Sequence, residues 1–111
     1  MADNDIMKRA LGMLGLAMKA GKVVIGTEQV VSFIQKKKLS LVLLSSSASE
    51  GTKKKIRFKC EFYKIDAQEL PVDMEQLGRL LGKTYTPAVV GVTDEGFSRT
   101  IVKILGEENE Q

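Results

Sequence analysis

The segment Leu39-Ser40-Leu41-Val42-Leu43-Leu44 decides the architecture. Apart from Ser40 it is apolar at odd and even positions alike, and its length suits a strand, so it reads as a central β-strand covered by helices on both faces. Downstream, Ser45-Ser46-Ser47-Ala48-Ser49 leads on from it, and Ser47 with Glu50 at capping-box spacing predicts a lysine-rich helix to about Glu61. Phe62 to Ile65 reads as a third strand. Pro71 sits at the start of a fourth helix carrying Met74, Leu77, Leu80 and Leu81, which Gly82 ends. Ala88 to Val92 is a second strand apolar on both faces, and Thr93, Asp94 or Glu95 begins a last helix with Phe97, Ile101, Ile104 and Leu105 inward. Upstream, Asp3 or Asn4 caps a helix whose apolar residues Met7, Ala10, Leu11, Leu14, Ala17 and Met18 share one face, and Gly21 stops it. Lys22 to Ile25 is a short strand. Gly26-Thr27 then turns into a second helix through Lys38, with Val30, Phe33 and Ile34 buried.

Strands alternating with helices predict an α/β fold, a single three-layer α/β/α sandwich with a mixed four-stranded sheet. The 111 residues and 12.2 kDa suit one domain over 1–111, with a core at about residues 4–105 and an acidic tail at 106–111. In such sheets ligands bind where strand ends lead into helix starts. The candidate junctions are Ile25-Gly26-Thr27, Ser45 to Ser49, and Lys83 to Pro87.

Composition narrows the function. An apolar fraction of 43% and a charged fraction of 28% fit a globular chain rather than a disordered or membrane one. The acidic opening Met1 to Asp5 predicts no signal peptide. Histidine is absent, which removes the commonest general base and metal ligand, and the lone Cys60 allows no internal disulfide and fits a reducing, cytoplasmic setting. Cys60 reads as a buried, inert packing residue. The glycines of Gly12-x-x-Gly15 and Gly78-x-x-x-Gly82 fall within or at the end of helices, where they serve close packing or termination rather than phosphate cradling. Asp66, Glu69, Asp73 and Glu75 flank a helix start, where the backbone dipole favours acids. A binding protein is therefore expected rather than an enzyme, with no cofactor and no metal.

The net charge of +3 conceals an asymmetry. Residues 1–65 carry thirteen Lys or Arg against five acids, a surplus of +8, whereas residues 66–111 carry four against nine, a deficit of −5. The basic half is a candidate surface for a polyanion. At the Gly26-Thr27-Glu28-Gln29 turn, helical spacing places Glu28, Ser32 and Lys36, with Gln29 beside them, on the face opposite Val30 and Ile34. Unpaired helix N–H groups suit phosphate, Glu28 and Gln29 can accept from base edges, and Lys22 and Lys36 can neutralise adjoining phosphates.

Gly26-Thr27-Glu28-Gln29-Val30-Val31, the Leu39 to Leu44 run with its serine-rich sequel, and Leu77-Gly78-x-x-x-Gly82 leading through Tyr85 into Ala88-Val89-Val90-Gly91-Val92 together resemble the kink-turn-binding ribosomal protein family. Its small bacterial, YlxQ-type members are the most similar. The resemblance spans roughly residues 6 to 105 and implies a sandwich that grips a sharply bent RNA with no catalysis. In that family the start of the second helix reads sheared G·A pairs, and a nearby loop covers an extruded nucleotide. By this resemblance Gly26 matches the family glycine, Thr27, Glu28 and Gln29 face the G·A pairs, and Lys22 matches the basic residue before the glycine. Tyr85, Thr86 and Pro87 fall in the covering loop. Two residues depart from the pattern: Glu28 stands where the family has asparagine, and Ser32 where it usually has lysine. The departures imply weakened binding to a standard kink-turn or a different RNA, with Lys36 and the Lys53 to Lys55 cluster compensating through phosphates. The expected partner is structured RNA, ribosomal RNA among the candidates, bound by a monomer away from membranes. The alternative is a protein-interaction or regulatory module that kept the sandwich and lost RNA recognition.

Overall fold

A computed structural model describes the backbone of residues 2–82 and 86–107, and the side chains from Asp5 onward. The element order is α1 (Ala2–Lys19), β1 (Val23–Ile25), α2 (Thr27–Gln35), β2 (Leu41–Ser45), α3 (Glu50–Tyr63), β3 (Asp66–Leu70), α4 (Met74–Leu80), β4 (Val89–Val92) and α5 (Glu95–Gly106). The four strands form one mixed sheet in the order β1-β4-β2-β3. β4 runs antiparallel to both β1 and β2, while β2 and β3 are parallel, so β4 opposes the other three.

Both double-apolar segments occupy the centre, as their patterning predicts: every residue of β2 and of β4 is buried. Alternation then assigns the faces. Leu41, Leu43, Val90 and Val92 pack with Leu14 of α1, Leu77 of α4 and Ile101 of α5. On the other side Val42, Leu44 and Val89 pack with Val30 and Ile34 of α2 and Ile56 and Cys60 of α3. The result is the expected three-layer α/β/α sandwich, with α1, α4 and α5 on one face and α2 and α3 on the other. Arg9 and Glu107 join the outer helices α1 and α5 through two hydrogen bonds of 2.6 and 3.0 Å.

Several boundaries differ from the expectation. Helix α1 begins at Ala2, ahead of the anticipated cap at Asp3 or Asn4, within the usual fraying of helix ends. Helix α2 stops at Gln35 instead of Lys38 because Lys37 adopts a left-handed conformation, φ 57°, and donates its N–H to the Ile34 carbonyl. Ser49, not Ser47, caps α3, accepting from the Thr52 N–H at 3.1 Å, while the Ser47 hydroxyl accepts from the Met74 N–H. The third strand is Asp66–Leu70 rather than Phe62 to Ile65. Phe62 and Tyr63 complete the last turn of α3, and Lys64, at φ 59°, turns the chain. An edge strand needs little apolar surface, so its polar sequence Asp-Ala-Gln-Glu-Leu gave no strand signal. Helix α4 starts at Met74 under an Asp73–Gln76 capping box, three residues after Pro71. Asp66 and Glu69 therefore belong to β3, not to a helix start.

The glycines divide by surroundings. A side chain at Gly91 would place its Cβ 2.6 Å from Leu39 Cδ1, 2.9 Å from Cδ2 and 3.3 Å from Cγ. Leu39 is itself buried in the α2–α3 core. A Cβ at Gly12, within α1, meets nothing within 4 Å, and at Gly15 only Leu80, at 3.9 Å, so close packing accounts for neither glycine in full. Gly91→Ala should destabilise the fold by about 1–3 kcal/mol through overpacking, whereas Gly12→Ala should stabilise α1 by roughly 0.5–1 kcal/mol. Urea midpoints check this, and equal shifts for the two variants would contradict the packing described.

Candidate nucleic-acid interface

The strand directions bring three sequence-distant junctions to one end of the sheet. β1 and β2 finish there and β4 begins there. The Gly26 N–H donates to the Val89 carbonyl at 3.0 Å, and the Ser45 N–H to the Ala88 carbonyl at 2.9 Å. The Ser46 N–H and hydroxyl both donate to the Val72 carbonyl, at 2.9 and 3.1 Å, which ties this end to the β3–α4 connection. The Gly26 turn, the Ser45–Ser49 segment and the segment leading into β4 thus form one surface.

Helix starts on that surface differ in how they are closed. Ser49 caps α3 and Asp73 caps α4 with a side chain. Gly26 precedes α2 with φ 99° and ψ 149°, a conformation close to glycine-only territory, and offers no side-chain cap. The first hydrogen bond of the helix runs from the Val30 N–H to the Gly26 carbonyl at 2.9 Å. The N–H groups of Thr27, Glu28 and Gln29 have no acceptor among the described residues. They point out of the helix start, where the backbone dipole adds partial positive charge.

Side chains of α2 divide largely as the spacing predicts, except that Phe33, expected on the buried face, is only half-buried, as is Ser32, expected on the solvent side. Val30 and Ile34 are buried, Thr27 and Ser32 are half-buried, and Glu28, Gln29 and Lys36 are exposed. The Lys36 ammonium lies 6.0 Å from the centre of the Phe33 ring. Lys36 is nine residues beyond Thr27, so it stands roughly 13 Å along the helix axis from the open end. Lys22 is exposed at the opposite end of β1, where its carbonyl accepts from the Thr93 N–H at 2.9 Å, again roughly 13 Å from Gly26. The two lysines are therefore removed from the Gly26 turn itself and flank the far end of α2. Thr86 is exposed and Pro87 buried beside the turn, and Tyr85 lies outside the described residues.

Nothing at this end resembles a nucleophilic or metal-binding centre among the described residues. Among the described residues, no group of three or more metal-ligating side chains occurs there or elsewhere. Ser45 Oγ is fully buried without a hydrogen-bond partner, and its side chain shares the sheet face of Leu41 and Leu43, away from α2. Cys60 is buried between α2 and α3, as expected of a packing residue.

These features define a class: an α/β/α sandwich presenting an uncapped, glycine-led helix start beside the entry to its central antiparallel strand. A solved structure of a protein of unknown function from Bacillus halodurans C shares the fold with a TM-score of 0.80 and 41% identity, covering 86% of this chain and 95% of that one. The Giardia lamblia 15.5kD RNA binding protein has the same fold at 13% identity, TM-score 0.77, covering 93% and 87%. Residues 8–102 match the model of the ribosomal protein L7Ae/L30e/S12e/Gadd45 family, and the chain belongs to that family. Among its relatives, "RNA-binding protein YlxQ" of Bacillus subtilis is 40% identical over 93 residues, 84% of this chain and 91% of the relative. "Large ribosomal subunit protein eL30" of Sulfolobus acidocaldarius is 29% identical over 90 residues, covering 81% and 86%.

Burial pushes the Cys60 thiol up to about 11, with the negative charge of Asp66 adding a smaller contribution in the same direction. The reactive thiolate is then scarce near neutrality. Alkylation by iodoacetamide should be slow at pH 8 and still rise about tenfold per pH unit past pH 9, where a free thiol near 8.5 levels off. A plateau near pH 8.5 in the folded protein would contradict this placement of the thiol.

Proposed function

We propose that the chain is a non-catalytic RNA-binding protein that grips a bent, structured RNA of the kink-turn kind through the start of α2. The observation that carries this reading is the open helix end. Three backbone N–H groups without acceptors among the described residues stand beside the exposed Glu28 and Gln29, on the surface where all three junctions meet. The N–H groups suit a phosphate, and the two side chains are acceptors for the amino and imino groups of base edges. The RNA-binding names of the relatives from Bacillus subtilis and Enterococcus faecium, the latter 33% identical over 98 residues, favour the same reading.

The departures at Glu28 and Ser32 bear on affinity. A carboxylate among phosphates is unfavourable unless it accepts from a donor, so Glu28 selects an RNA that presents a guanine N–H at that position. Ser32 contributes no charge. Phosphate neutralisation falls instead to Lys36 and Lys22 at the far end of α2, so the RNA lies along the length of the helix rather than over its tip alone. Thr86 and Pro87 lead into β4 beside the turn, where the resemblance puts the covering loop.

Titration of a short kink-turn RNA and a plain duplex across a salt series tests the proposal, with tighter binding of the bent RNA expected and equal affinity overturning it. Glu28→Ala and Gln29→Ala should each weaken binding of the bent RNA by about 1–3 kcal/mol and leave the duplex unaffected. Lys36→Ala should weaken both RNAs alike and reduce the slope of log affinity against log salt by roughly one.

A further inference from the structure

The outward face of α3 carries an aromatic and basic surface separate from the α2 turn. Phe58 and Phe62 are 70% and 71% exposed, in a chain with only four phenylalanines and no tryptophan. They fall two residues out of step with Ile56 and Cys60, the buried residues of the same helix, so helical geometry turns both rings away from the core. Four residues apart, they are neighbours one turn from each other. Tyr63 sets its ring edge-on to Phe62, with centroids 4.9 Å apart and planes at 79°. Phe58 stands between two open hollows, one shared with Lys59, Phe62 and Tyr63, the other with Lys54, Arg57 and Glu61.

The cations of α3 fall into two sets. Lys53 and Arg57 are held by Glu69 of β3, at 3.2 and 3.0 Å, and the Lys53 ammonium also donates to the Ser46 carbonyl at 3.0 Å. Lys54, Lys55 and Lys59 make no ion pair among the described residues. They flank the two rings. Glu61 is the single carboxylate beside Phe58 in the hollows described.

We propose that this face of α3 is a second RNA-contact surface, on which unpaired nucleotides stack against Phe58 and Phe62 while Lys54, Lys55 and Lys59 neutralise their phosphates. Surfaces for single-stranded nucleic acid combine these two components, because every base has an aromatic face and every linkage a negative charge. A protein partner fits less well. Lysine is depleted at the centres of protein–protein interfaces, whereas here three lysines with no ion pair among the described residues surround the apolar groups, against the one carboxylate of Glu61. The location also favours one continuous ligand. Helices α2 and α3 share a face of the sheet and a common core, and α3 starts at the end where α2 is open. An unpaired extension of a bent stem held at α2 has this helix beside it. The surface itself does not depend on how α2 reads its target.

Fluorescence anisotropy with the full chain at low salt tests this with three labelled RNAs: a single-stranded uridine decamer, a blunt kink-turn stem, and the same stem with a ten-nucleotide unpaired tail. The native protein should bind the decamer and gain affinity from the tail. Phe58→Ala/Phe62→Ala should lose about tenfold or more in decamer binding and all of the gain from the tail, with blunt-stem affinity unchanged. Both rings are exposed, so thermal melting should match that of the native protein. Phe58→Tyr/Phe62→Tyr should restore binding and Phe58→Leu/Phe62→Leu should not, which separates stacking from apolar contact. Native protein that ignores the decamer, or an alanine variant that binds it as the native does, overturns the proposal and leaves the face to a protein partner. Failure at α2 reads differently: the blunt stem would bind no better than a duplex while the decamer still responded to the two rings.

Discussion

Strand β4 is the member on which the other elements depend. Lying antiparallel between β1 and β2, it is buried on both faces, and each of its ends is fastened to a different part of the chain. The Val89 carbonyl takes the Gly26 N–H and the Val92 carbonyl takes the Ser40 N–H, at 3.0 and 2.9 Å. Buried backbone groups must find partners, so these pairings specify where β1 stops and where β2 begins. Reversal of this one strand sets its start beside the finishes of β1 and β2. The Gly26 turn and the segment entering β4, about sixty residues apart in sequence, become neighbours through it.

The layers were legible in the sequence where burial leaves a periodic mark. Leu41 to Leu44 and Val89 to Val92 carry apolar residues on both faces because helices cover both, and α1, α2 and α5 show the spacing of one buried stripe. Strand β3 left no such mark. It sits at the sheet edge, and only Leu70 of its five residues is buried. The neighbouring Phe62 to Ile65 looked more strand-like because Phe62 is apolar without being buried, which inverts the premise of the periodicity. Serines misled for a related reason: Ser47 and Ser49 both suit a cap, and the contact that engages Ser47 comes from Met74, 27 residues away. At the candidate site, Gly26, Glu28 and Gln29 could be read from turn chemistry and helical spacing. The removal of Lys22 and Lys36 to the other end could not, since it depends on the direction of β1 and the length at which α2 stops.

Charge on α3 shows how an edge strand shapes a surface. Glu69 pairs with both Lys53 and Arg57 where the helix meets the sheet and offsets one of their two charges, so the +8 of the first 65 residues is not spread evenly. The part that lies inward contributes to the docking of α3 on β3. The part that lies outward is left to solvent together with the two phenylalanine rings. Two separate physical demands, attaching a helix and presenting a cationic face, are met by different residues of one lysine-rich run.

The uncapped start of α2 has a thermodynamic consequence. A glycine at this position gives up only about a few tenths of a kcal/mol against a capping side chain, and Gly26 takes φ 99° readily because it has no Cβ, but the start of α2 is left without a side-chain hydrogen bond. An anion seated on the three N–H groups that find no acceptor among the described residues would act as the absent cap. Occupancy and folding then draw on the same equilibrium, since a ligand that binds only the folded chain stabilises it by RT ln(1 + [L]/Kd). The free protein is thus the less stable form of itself, and its thermal midpoint is a gauge of whether the helix end is filled.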